Sequence, residues 1–328
     1  MLLDSHATIL RDAKAHWQQN AAHNRKIVLL YALPALSLPL LVMAINLFLD
    51  AQFASTGGLS GIGMRSALET AQTVLSSAIS VLLPFWQLGL FFAAMRISRG
   101  APAQAQDLYE GFHRWGAALR LQLLRGMRYF AEILLGVFLG SLVYSVTPFS
   151  NGLVEAIAAI TEDPTLANIS SQELMLLLEE RLSFSQLLPP YLFCIAGALI
   201  LTAPLFYKYR LSDYVLLSSD KPGAFSSIFE SAQLMQGNRL WLLRLDLRLW
   251  WYYLLMLLAA LISYGDLLLP LLGISLPFSE NISMVVFVLL STAVQFFLYY
   301  FFRGRIETVY ACVYEALKNN GKEEETSC

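Results

Sequence analysis

The chain has 328 residues, 57% of them hydrophobic and 14% charged, with a net charge of -2 and a mean hydropathy of +0.56. A soluble domain carries about a quarter charged residues, so an ordinary soluble globular class is excluded and long apolar helices in lipid are expected. The small net charge averages two opposed surfaces, which makes charge by segment the informative quantity.

Residues 1–26 read as a cytoplasmic amphipathic segment in which Ile9, Ala13 and Trp17 share one helical face, the pattern of a helix lying on a membrane surface. The first apolar run starts at Ile27 and continues to Leu49 with no small-residue cleavage site, so it reads as a span and not as a cleavable signal. A membrane-spanning helix needs roughly 20 mostly apolar residues to cross the hydrocarbon. Six stretches meet that length, at 27–49, 67–95, 129–149, 187–206, 249–272 and 282–302. Pro84 falls inside the second and is expected to kink it. The expected fold class is therefore all-α: a polytopic integral membrane protein with a six-helix transmembrane domain over 27–302. Amphipathic helices are expected in the cytoplasmic loops, and a cytoplasmic helix and tail at 303–328.

Lys and Arg near span ends are retained in the cytoplasm. With these spans, 20 of the 22 Lys and Arg residues fall on one side, and Arg65 and Arg181 alone fall on the other. Both termini are thereby expected to be cytoplasmic. The outside loop 150–186 carries Glu155, Glu162, Asp163, Glu173, Glu179 and Glu180 against Arg181, with helical character at 172–182. It reads as a solvated acidic cap, or as a vestibule that raises local cation concentration.

The two larger cytoplasmic loops resemble each other. Pro102 and Pro222 are each followed by an aliphatic, an aromatic and a Glu, at Leu108-Tyr109-Glu110 and Ile228-Phe229-Glu230. Both loops follow a span running inward, so a true duplication would be a parallel repeat; one matched tripeptide leaves that open. In the second loop Phe225, Ile228, Phe229, Ala232 and Met235 form one apolar stripe. Gly237 and Asn238 are expected to end that helix, because both tolerate a left-handed backbone.

Residues 231–251, SAQLMQGNRLWLLRLDLRLWW, resemble the Ser-x-x-Leu/Met-Met-x-Gly-Asn segment, closing in Leu-Asp-Leu, of the DUF975 family of bacterial integral membrane proteins; the match is carried by Ser231, Leu234, Met235, Gly237, Asn238, Leu242, Leu245, Asp246 and Leu247. Leu88-Gly89-Leu90, the loop Asp107 to Phe112 and the closing YACVYEAL are similar to further segments of that family. The 150–186 loop and the basic, Trp-rich Arg248 to Trp251 depart from it. The resemblance implies a multi-pass protein of the bacterial inner membrane, with no assigned activity.

Ionisable groups inside a bilayer are costly and so draw attention as sites. Glu132 lies four residues after Arg128 on the same helical face, which reads as an interfacial ion pair, with a proton relay as the alternative. Asp246 sits between Arg244 and Arg248 near the fifth span. There it is expected to pair with another element's Arg or to cap a helix end. Gly136 and Gly140 form a small-residue step that lets another helix approach closely. His6, His16, His23 and His113 are scattered, with no metal-ligand spacing, and no catalytic constellation, cofactor motif or metal site is read. The Arg-rich loops are explained by anionic lipid headgroups with fewer assumptions than nucleic acid requires.

The function these features support is a non-enzymatic membrane scaffold or accessory component. Its cytoplasmic face, above all Gly237, Asn238, Arg239, Arg244, Asp246 and Arg248, would contact lipids or a membrane-protein partner. A small-solute transporter or channel is the alternative.

Overall fold

The computed structural model describes residues 6–53, 59–152, 154–155, 158, 184–220, 223–271 and 280–326. The described elements are helical throughout. In chain order they are α1 (His6–Gln19), α2 (Ala21–Phe53), α3 (Leu59–Ser98), α4 (Glu110–His113), α5 (Trp115–Ser145), α6 (Phe184–Tyr209) and α7 (Ser212–Ser218). After these come α8 (Ala224–Leu234), α9 (Arg239–Arg248), α10 (Trp250–Ile262), α11 (Gly265–Leu271), α12 (Glu280–Leu298) and α13 (Gly304–Thr326). Among the described residues five helices are long and apolar enough to cross a membrane, and a sixth counts if α9 and α10 form one bent span. The helical part of the acidic loop, 172–182, lies outside the described residues.

The chain divides into two compact units, one of residues 1–119 with 211–328 and one of residues 120–210. In the first unit Trp17, Ile27, Val28, Tyr31, Leu90, Ala93, Ile97, Ala103 and Leu108 form a buried cluster. These come from the end of α1, the start of α2, the end of α3 and the loop after it. The well-packed core therefore sits where the start of α2 meets the end of α3, next to the basic loops, while Leu41, Val74 and Val81 farther from it along the same helices are exposed. α1 covers this core. Ile9, Ala13 and Trp17 are buried as expected, but against protein, mainly α13, and not against a membrane surface. The indole of Trp17 needs a residue without a side chain opposite it: a Cβ on Gly304 would lie 2.4 Å from the ring.

Several expected spans change shape. α3 has 40 residues, about 60 Å at 1.5 Å per residue, twice the hydrocarbon thickness. It runs through Pro84 as one helix and delivers its last turns to the packed core. α5 begins at Trp115, not near 129, because Arg and Gln are good helix formers and charge alone does not stop a helix. The fifth span, expected as one helix over 249–272, is divided: α10 is 13 residues long, α11 begins only after Ser263 and Tyr264, and α9 meets α10 at a bend of 66°. The sixth continues without a break, through a π-helical turn at Tyr299–Arg303, into α13.

The second unit is built on the small residues of α5 and α6. A Cβ on Gly136 would lie 2.6 Å from the Ala198 Cα, one on Gly140 2.3 Å from the Phe193 carbonyl oxygen, and one on Gly197 2.2 Å from the Gly136 carbonyl oxygen. Backbone thus meets backbone, the use expected of the Gly136 and Gly140 step. Tyr144 adds a tilted ring contact with Phe193 at 5.9 Å.

Candidate functional site

The consecutive helices α8 and α9 of the first unit contain the segment singled out in the sequence. Gly237 has φ +76°, the left-handed conformation that lets α8 stop. Asn238 joins the two helices. Its side-chain amide donates to the Leu234 carbonyl at 3.0 Å, and its own carbonyl accepts from the Leu242 amide at 3.0 Å. The expected helix end is present, with Gly237 in the left-handed position and Asn238 as the connector to α9.

The apolar stripe expected on α8 turns inward only in part: Met235 is buried, but the two Phe rings face out. Ala224, Ser227 and Ser231 are buried, whereas Phe225 is 77% and Phe229 66% exposed. The physical reason is close packing of α8 on α7, which small Ala and Ser side chains permit and two Phe rings would prevent.

α9 has two opposite faces. Asn238, Leu242, Leu245 and Leu249 point inward, at the spacing of one helical stripe. Leu240, at 68% exposure, and Leu247, at 60%, point outward, with Arg244 and Arg248 exposed beside them. Asp246 lies at the flank and accepts a 2.5 Å hydrogen bond from the Tyr310 hydroxyl of α13, and the hydroxyls of Tyr310 and Tyr253 are also hydrogen-bonded. A phenol of α13 is thus one partner of Asp246, a contact not foreseen beside the expected pairing with another element's Arg or a helix cap. His6 stacks on Trp241 with ring centroids 4.3 Å apart and meets the Trp241 carbonyl at 3.0 Å, so the start of α1 also holds α9.

α13 is the hub of these contacts, a role the sequence reading missed. Glu307 is buried and pairs with Arg303 one turn earlier at 2.9 Å. Its second carboxylate oxygen accepts from the Tyr214 hydroxyl of α7 at 3.0 Å. The Tyr214 ring stacks between Phe91 and Tyr314, at 5.3 and 6.1 Å. Tyr314 shares a hydrogen bond with Ser218, and Glu315 pairs at 2.7 Å with Arg99, the residue just after α3. Residues 303, 307, 310, 314 and 318 follow helical spacing; that periodicity was the available signal, masked because Arg303 was counted only as a basic flank.

The two look-alike loops fold differently. In the first, Asp107 accepts from the Gln104 backbone amide at 2.6 Å and pairs with Arg96 at 2.9 Å. The loop backbone lies directly on α3: a Cβ on Gly89 would lie 2.1 Å from the Leu108 carbonyl oxygen, and one on Gly111 2.0 Å from that of Phe85. The second loop instead builds α7 and α8. In the second unit Arg128 and Glu132 pair at 3.0 Å across one helical turn, as their spacing requires. No family model, no curated protein and no solved structure matches this chain.

Proposed function

We propose that this chain is a six-span bacterial inner-membrane protein with both termini in the cytoplasm, related to the DUF975 family. It acts as a non-enzymatic scaffold or accessory component through its cytoplasmic face. The observation that carries the reading is where the polar contacts gather. α13 ties α3, α7, α9 and α10 together through Arg99, Tyr214, Ser218, Asp246 and Tyr253, all beside the basic ends of the spans. A rigid platform of this kind suits the display of a surface to lipids or to a membrane-protein partner.

Inside the last span, Ser291 and Gln295 are held by near neighbours. Ser291 donates to the Ala259 carbonyl at 2.6 Å and Gln295 to Ser291 at 3.1 Å, which serves helix packing. A small-solute transporter or channel is the second reading. The divided α10–α11 stretch and the 66° bend before it favour that reading, since broken helices form transporter binding sites.

Affinity purification of the solubilised protein, with identification of co-purifying proteins and lipids, separates the two. A stoichiometric partner protein or tightly held lipid is expected. Thermal stabilisation by a small solute, with neither partner nor lipid retained, would replace the scaffold reading with transport.

A further inference from the structure

We propose that the outward face of α9, formed by Leu240, Arg244, Leu247 and Arg248 and continued by Trp250, docks on an anionic phospholipid surface as an in-plane helix. The proposal rests on the cytoplasmic-face reading and narrows it to one partner chemistry. Three independent observations converge on it.

The first is direction. Transmembrane helices tilt by about 20° on average, so if α10 makes the fifth crossing with α11 and without α9, a helix bent 66° from α10 lies nearer the membrane plane than its normal. The second is amphipathicity in the unusual sense, with both helix faces apolar. Leu242, Leu245 and Leu249 are used inside the protein, which leaves Leu240, Leu247 and Trp250 outside without a protein cover. Side chains of this kind, flanked by Arg, are those that settle at the boundary between headgroups and acyl chains.

The third is charge. Asp246, the one acid in α9, is engaged by Tyr310, which is itself buried. Among the described residues no carboxylate pairs with Arg244 or Arg248. The exposed charge of α9 is therefore wholly positive, complementary to phosphodiester headgroups, and each guanidinium suits bidentate contact with phosphate oxygens. A protein partner would have to supply both a negative surface and an apolar rim, whereas an anionic bilayer surface has both by construction.

The test uses the full chain in detergent, titrated with phosphatidylglycerol, phosphatidylcholine or inorganic phosphate, and reads apparent affinity from thermal stabilisation. R244Q/R248Q is expected to weaken phosphatidylglycerol binding about thirtyfold, from roughly fivefold per basic residue at an anionic surface. R244K/R248K should retain most of the affinity, and R11Q/K14Q, which removes the same charge from α1, should retain all of it. Should the double Gln variant fail to fold, R248Q alone is expected to lose about fivefold.

Unchanged phosphatidylglycerol affinity in the Gln variants overturns the proposal, as does equal loss in R11Q/K14Q. Equal stabilisation by inorganic phosphate also overturns it, by reducing the surface to a free-anion site. Loss of a co-purifying protein from R244Q/R248Q with phosphatidylglycerol binding intact sinks the lipid assignment and leaves the scaffold reading standing. A chain that retains neither lipid nor protein partner sinks both.

Discussion

Asp246 and Tyr310 lie 64 residues apart in sequence and 2.5 Å apart in the fold. Removing the phenol hydroxyl takes one hydrogen bond from the Asp246 carboxylate, so Tyr310→Phe is expected to destabilise the protein by about 1–2 kcal/mol, measured as a fall in thermal midpoint in detergent. Glu307 is the more severe case, because its side chain is 4% exposed and Arg303 beside it 18%. Glu307→Ala strands a largely buried guanidinium and is expected to cost roughly 3–5 kcal/mol, whereas the paired replacement R303M/E307L costs markedly less. Equal loss in the single and paired variants would show that the ion pair is not what the site requires. The i,i+4 spacing of Arg303 and Glu307 is plain in the sequence. Their burial is not, since it depends on α7 and α3 closing over α13.

At the scale of elements, two kinds of glycine behave differently. Gly237 has open space around its missing Cβ and a φ of +76°, so substitution there is governed by backbone alone. Gly237→Ala is expected to cost about 1–2 kcal/mol, and Gly237→Asn distinctly less, because Asn tolerates the left-handed region; equal thermal midpoints for the two variants would contradict this. Gly136 is governed by space. Its φ is ordinary, but a side chain would meet Ala198 and Gly197 backbone, so Gly136→Leu must separate α5 from α6 and is expected to cost about 1–3 kcal/mol or more. Thermal unfolding of the purified variant checks it. Both glycines were legible, one as a helix stop and one as a packing step. The orientation of α8 was not, because its Phe-rich stripe and its Ala/Ser stripe are each consistent with a helix, and only the tight fit on α7 selects the small one.

For the whole molecule, the proposed six-span topology predicts opposite labelling of the two sides. With the three native cysteines replaced, Glu155→Cys is expected to react with a membrane-impermeant maleimide in intact cells, and Gln236→Cys only after the membrane is opened. The reverse pattern would invert the topology, and labelling of both positions in intact cells would remove the intervening odd number of spans. The outcome bears directly on α9, since a lipid-docking helix rich in Arg belongs on the leaflet that carries anionic lipid.

The apolar runs were enough to determine an all-helical chain with membrane-length helices, because burying backbone in lipid leaves little choice but helix. Spacing along one helix likewise determined the Arg128–Glu132 pair, the face of α1 and the turn at Gly237. Tertiary structure alone decided where the interior lies: at the basic end of the spans, organised around α13, with Ala and Ser rather than Phe turned inward on α8 and Asp246 joined to a tyrosine. The reason is that local periodicity reports which residues share a face, whereas what that face meets is set by segments far away in the chain. In lipid, moreover, apolar character no longer separates inside from outside.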